Sequence, residues 1–326
     1  MRPIRRILVA VKDPQAQSLP AVTKAAQLAK GLGASLELFH SLSSPLLLDA
    51  YALSGKFPEV ERDARKECVA QLERIAAGPR GRGIAVSVAA QWDYPVYEAV
   101  IRRARQIDAD LIVAERHAGR HIAPGLLHLT DWELLRLSPV PVLLVKTGGT
   151  YERPTILAAI DPAHTFSKPA NLDAEILAAS AALATALRGQ RHAVHAYIAV
   201  PAIPSRRITA AAIKSIAERS AQEAEEHFEQ ALAKSGIPHK YRHLIARHPI
   251  DAIQDTARDL RSDIVVMGAI SRSGIKRLVI GNTAENVLDS LTCDLLIVKP
   301  STFVAQVQAT PRGVRYMTTP LVQAPY

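Results

Sequence analysis

Gly268, Ser271, Arg272, Gly281, Asn282 and Thr283 fall within one stretch, DIVVMGAISRSGIKRLVIGNTAENVLDSLTCDLLIVK at 263–299, and their types suit a phosphate. Glycine lets a ligand come close to the main chain. Free N–H groups at a helix start attract anions. Arg272, with Lys276 and Arg277, could neutralise phosphate oxygens, arginine as a two-pronged fork and lysine as a point charge. Asn282 reads two ways, as a ligand contact or as an N-cap that takes the helix-start N–H groups itself. Asp161 also reads two ways. Its carboxylate could accept from the amino group of a base, or Asp161-Pro162 is simply a turn.

Other chemistry finds less support. The GxxxxGK[ST] and GxGxxG patterns are absent, and so are GxSxG and HExxH. No nucleophile with a base and an orienting group emerges, so no catalytic residue is named. His117 and His121 would share a helix face and could pair on a metal. The surrounding AGRHIAPG is interrupted by Gly and Pro, and no third ligand stands at a diagnostic spacing, so no metal is expected. His239 and His243 fall on one face of an expected strand and read as facing solvent.

The elements that would position these residues form two copies of one unit. Asp110 against Asp263, Thr130 against Thr283 and Lys146 against Lys299 share one constant offset. The starts also match, ILVAV at 7–11 and ILAAI at 156–160. In the first copy, strands are expected at 7–11, 35–41, 84–90, 110–114 and 140–145. Helices fall at about 21–32, 59–77, 96–107 and 131–137, the second stopped by Gly78-Pro79. In the second copy, strands are expected at 156–160, 192–198, 239–245, 264–267 and 295–298. Its helices are expected at 172–187, 210–234 and 250–259, with a further helical pattern from Thr283 to Leu291.

Apolar strands alternating with helices imply parallel sheets covered on both faces. The fold class is therefore α/β, with two tandem doubly wound five-stranded parallel sheets of Rossmann-like type. Ligands of such sheets bind beyond the carboxyl ends of the strands, where strand order switches. Asp161 and Gly268 both follow a strand there. The expected domains are 1–149, 150–300 and an unstructured tail at 301–326, with TGGTYERP at 147–154 as linker.

The 263–299 stretch resembles the nucleotide loop of universal stress proteins, and GNTAEN at 281–286 resembles the tandem, E-type branch. The family pattern is Gly, two residues, Gly, nine residues, Gly, then Ser or Thr. Gly268 and Gly281 match, Ser271 stands for the second Gly, and Asn282, followed by Thr283, stands for the Ser or Thr. The resemblance implies an adenine nucleotide such as ATP, with Asp161 near the base. At the equivalent positions the first copy has Lys12, Glu115, Ala118 and His128, and reads as degenerate for a nucleotide. The resemblance further implies a non-enzymatic stress-response binding or protective module, the alternative being a weak ATP hydrolase or nucleotide-gated switch. Dimers of the family meet along the last strand, so the two copies are expected to form an intramolecular pseudo-dimer through 140–145 and 294–298, with homo-oligomers left open.

Composition bounds the rest. The 326 residues carry 48% hydrophobic and 22% charged residues, as a globular chain does. Net charge is +9, but no aromatic–basic motif accompanies it, so nucleic acid is not the expected partner. Cys68 and Cys293 form no CxxC and suit a reducing compartment. The apolar run at 7–11 is cut short by Lys12 and Asp13, and 176–187 is too short for a bilayer. A cytoplasmic chain without a membrane span is expected.

Overall fold

The computed structural model describes residues 2–42, 57–116, 129–163, 171–199, 209–268, 290–300, 302–303 and 307–311. The chain divides into two compact units. One comprises Arg2–Thr150 with Val304–Tyr326, the other Tyr151–Phe303.

The first unit runs β1 (Arg6–Ala10), α1 (Pro20–Leu32), β2 (Ser35–Leu42), α2 (Phe57–Gly81), β3 (Val86–Trp92), α3 (Val96–Gln106), β4 (Leu111–Glu115), α4 (Leu129–Leu137) and β5 (Val142–Val145). Its strands pair in the order β3-β2-β1-β4-β5, all parallel. The second unit runs β6 (Thr155–Ala159), α5 (Leu172–Leu187), β7 (Gln190–Tyr197), α6 (Ala210–Leu232), β8 (Arg242–Ala246), α7 (Pro249–Asp259), β9 (Ile264–Gly268) and β10 (Asp294–Val298). Its order is β8-β7-β6-β9-β10, again parallel. These are the doubly wound α/β sheets that the apolar runs predict.

The first strand of each unit lies at the centre, flanked by the second and fourth. Ile7, Leu8 and Val9, and likewise Ile156, Leu157 and Ala158, are wholly buried. A central parallel strand covered on both faces must be apolar throughout, which is why neither run alternates. A carboxylate fastens the lower end of each centre. Asp110 Oδ2 accepts from the Arg5 and Arg6 N–H groups at 2.9 and 3.1 Å. Asp263 Oδ2 accepts from Thr155 N–H at 2.8 Å. The repeated Asp is thus a repeated clamp.

Two boundaries differ from the sequence expectation. Helix α2 does not stop at Gly78-Pro79 but continues to Gly81, with Pro79 inside it. Cys68, Leu72, Ala76 and Pro79 are all buried on a stripe at helical spacing. Packing of Pro79 therefore carries the helix one turn further, at the loss of one main-chain bond. Arg80 holds that turn by donating to the Val86 carbonyl from Nε at 3.0 Å and Nη2 at 2.8 Å. In the second unit, the strand expected at 239–245 begins at Arg242. His239–Tyr241 form a 3-10 turn, closed by Tyr241 N–H on the Pro238 carbonyl at 2.9 Å. The Arg242 guanidinium donates to the Ile237 carbonyl and fixes that turn against β8.

Of the segment read as an unstructured tail, the described residues are 302–303 and 307–311. Lys299 Nζ stands 5.0 Å from the Phe303 ring centroid, and Val307 is 6% exposed.

Candidate functional site

The register of β6 against β9 pairs Ala159 with Met267. Asp161 therefore emerges two residues beyond the pairing and Gly268 one residue beyond it. They stand side by side at the carboxyl edge, where strand order switches. Of the expected site residues, these two are brought together. Ser271, Arg272, Gly281, Asn282 and Thr283 lie outside the described residues, as do His117, His121 and His128.

Asp161 is partly open, its side chain 28% exposed. Its main-chain N–H donates to Asp173 Oδ1 at 3.1 Å, in the first turn of α5. That bond ties the end of β6 to the start of the helix and orients the loop that presents the Asp161 carboxylate. Behind it lies His195 of β7, 1% exposed, with Nδ1 4.0 Å from Asp161 Oδ1 and 3.3 Å from the Ile160 carbonyl. His195 is too buried to face the crevice itself. Asp161 follows β6, and Asp173 and Glu175 stand in the first turn of α5 beside it.

Gly268 meets a packing demand of its own. A Cβ built there would lie 2.4 Å from Leu172 Cδ2 and 3.3 Å from Ile176 Cδ1. Helix α5 thus packs onto the main chain at the end of β9. Leu172, 4% exposed, occupies the space that any side chain would claim.

The first unit has the same architecture with different chemistry. Ala10 pairs with Ala114, which puts Lys12 and Glu115 at the places of Asp161 and Gly268. Glu115 Oε1 accepts from the Ala21 N–H at 3.1 Å, in the first turn of α1. A side-chain carboxylate thus occupies the helix start that could otherwise receive an anion. Lys24, 1% exposed, donates from Nζ to the Thr147 carbonyl at 2.8 Å and to Thr147 Oγ1 at 2.6 Å. Its charge is directed into the protein.

One cluster was not legible from residue spacing. His192 Nδ1 lies 3.0 Å from His243 Nε2, with ring planes 11° apart and centroids 5.3 Å apart. That centroid separation describes rings joined edge to edge through their nitrogens. His243 is therefore half-buried and hydrogen-bonded, contrary to the expectation that it faces solvent. Burial pushes both imidazoles below the usual histidine pKa, and for His192 the neighbouring His243 adds to the effect. Among the described residues, no three His, Cys, Asp or Glu side chains gather as metal ligands. No described helix is long and apolar enough to cross a membrane.

The chain's likenesses to known proteins follow the same division. A sequence profile of the Universal stress protein family matches residues 3–146 and again 153–299. Universal stress protein E of Escherichia coli K12 is 27% identical over 310 residues, covering 92% of this chain and 96% of that protein. Universal stress protein E of Photorhabdus laumondii is 26% identical over 318 residues, covering 93% and 97%. Among solved structures, a functionally unknown protein of Pseudomonas aeruginosa PAO1 superposes with a TM-score of 0.74 at 24% identity, covering 97% of this chain and 98% of that one. A universal stress protein of Archaeoglobus fulgidus gives 0.55 at 14% identity, covering 91% and 97%. At such identities these two show the fold.

Proposed function

Because the chain belongs to the universal stress protein family in both of its halves, we propose that it is a non-enzymatic stress-response binding module of the cytoplasm, with one adenine-nucleotide site in its second copy. The observation that carries this reading is the contrast at the switch points. Asp161 and Gly268 stand where the first copy has Lys12 and a Glu115 already bonded to its own helix. Asp161 would accept from the amino group of the base. The phosphates would extend toward the 269–283 stretch, where the sequence supplies Ser271, Arg272, Gly281, Asn282 and Thr283. Cys68 and Cys293 are buried thiols outside any disulfide, which supports a reducing compartment.

Calorimetric titration of the whole chain with ATP tests the site. One site per chain is expected, lost in Asp161→Ala and kept in Lys12→Ala. Two equal sites, none, or equal loss from both variants would overturn the assignment. The non-enzymatic part fails if ATP turnover approaches the enzyme median of about 10 per second.

Pairing of the copies through their final strands belongs to the same proposal. Its support is that 140–145 and 294–298 are apolar strands with few charges to blunt an open edge. Residues 1–149 and 150–326, expressed separately, should then associate or aggregate. Two stable monomers by sedimentation would exclude it.

A further inference from the structure

Arg102 and Arg105 are three residues apart on α3 and so occupy adjoining positions on one helix face. Arg102 forks onto Asp93, Nε to Oδ2 at 2.7 Å and Nη2 to Oδ1 at 2.8 Å. Its Nη1 also donates to Glu98 Oε2 at 2.8 Å. Asp93, Glu98 and Arg102 are 3%, 4% and 7% exposed. A cation between two buried carboxylates is held firmly, because moving any member leaves a charge without its partner. The fork is therefore a fixed platform.

Two donor groups on this face reach main-chain carbonyls of one distant segment. Arg105 Nη1 donates to the Val307 carbonyl at 3.0 Å, and Arg102 Nη1 reaches the Gln308 carbonyl at 3.5 Å. Val307 is 6% exposed, whereas Gln308 to Pro311 are exposed. Contacts to main-chain oxygen carry no sequence information. The buried aliphatic side chain of Val307 does.

We propose that this face of α3 is a peptide-docking surface. It grips main-chain carbonyls through Arg102 and Arg105 and seats one small aliphatic anchor, and its resident is this chain's own segment around Val307. That segment belongs to the same compact unit as α3, although it follows the second copy in sequence. The inference is independent of any nucleotide.

Amide hydrogen exchange on the whole chain and on a chain ended after Phe303 tests it. Ending the chain there should raise exchange along Val96–Gln106 by roughly a hundredfold, the scale for losing one buried valine and two hydrogen bonds, with α1 unchanged. An excess of a synthetic peptide of residues 304–314 should restore the protection. In the whole chain, Val307→Asp should reproduce the loss and Val307→Ala part of it. Gln308→Ala should not, since the Gln308 contact is through its carbonyl. Unchanged exchange in the shortened chain overturns the proposal. So does protection in the whole chain that falls on dilution, because the occupant would then be the segment of a second copy.

Discussion

The carboxylate of Glu115 and the N–H of Ala21 are 3.1 Å apart, across 94 residues of sequence. The bond joins the end of β4 to the start of α1 and answers one of the helix's open donors with a negative charge. Glu115→Ala should cost about 0.5–2 kcal/mol, the range for losing such a cap. Glu115→Gln, which keeps an acceptor without the charge, should cost less. Urea unfolding of both variants against the parent chain checks the order.

At Gly268 the outcome depends on a partner. Gly268→Ala places a methyl against Leu172 and should cost about 1–3 kcal/mol through overpacking. Leu172→Ala alone should cost about 2–5 kcal/mol by leaving a cavity. Together they should cost clearly less than the sum, because the second change makes room for the first. A thermal-unfolding double-mutant cycle measures the coupling, and strict additivity would show that the two do not touch.

The edge-to-edge pair of His192 and His243 makes stability depend on pH. Both pKa values are lowered in the folded protein, so between them and the unfolded value of about 6.5 the unfolded chain binds more protons. Stability is therefore full above about pH 6.5 and is lost as pH falls toward the folded values. The Tyr241 ring is tilted 45° against His192 with centroids 4.6 Å apart, and Lys240 Nζ lies 4.8 Å from the Tyr241 ring. Replacing His243 with Phe should flatten this part of the profile, which denaturant melts from pH 5 to 8 would reveal.

Tyr151 Oη donates to Asp294 Oδ2 at 2.6 Å, with both residues buried. Burial, reinforced by the Asp294 charge, pushes the Tyr151 phenol well above the usual tyrosine range. In a spectrophotometric alkaline titration, one of the 8 tyrosines should resist ionisation until the chain unfolds. Tyr151→Phe should abolish that late step and cost about 1.5–3 kcal/mol, the scale of a hydrogen bond to a charged group.

What could be read from the sequence was what apolar patterning decides locally. The central strands are continuous runs such as ILVAV and IVVM, so their existence, burial and parallel order follow from the runs and the helices between them. The repeat of Asp110 at Asp263 was visible, but its role as a strand clamp needed the partner strand. Pro79 looked like a stop because its packing surface lies elsewhere in the fold. His192 and His243 are 51 residues apart, and no local pattern joins them. Gly268 stood out for letting a ligand approach, while the demand from Leu172 arises only once α5 is laid over β9. The tie between Asp161 and Asp173 is likewise a product of docking a helix onto a strand end.

The Asp110 clamp has a consequence in time. It joins Asp110 to N–H groups 105 and 104 residues earlier, and the strand that follows it closes the second side of β1. Ribosomes add roughly 5–20 residues per second, so β1 waits on the order of ten seconds for that neighbour. During the wait, Ile7, Leu8 and Val9 form an apolar run with an unpaired edge. Within the first unit, β1 is thus made before every other strand yet enclosed only when β4 arrives, which leaves that unit's central strand open on one side in the interval.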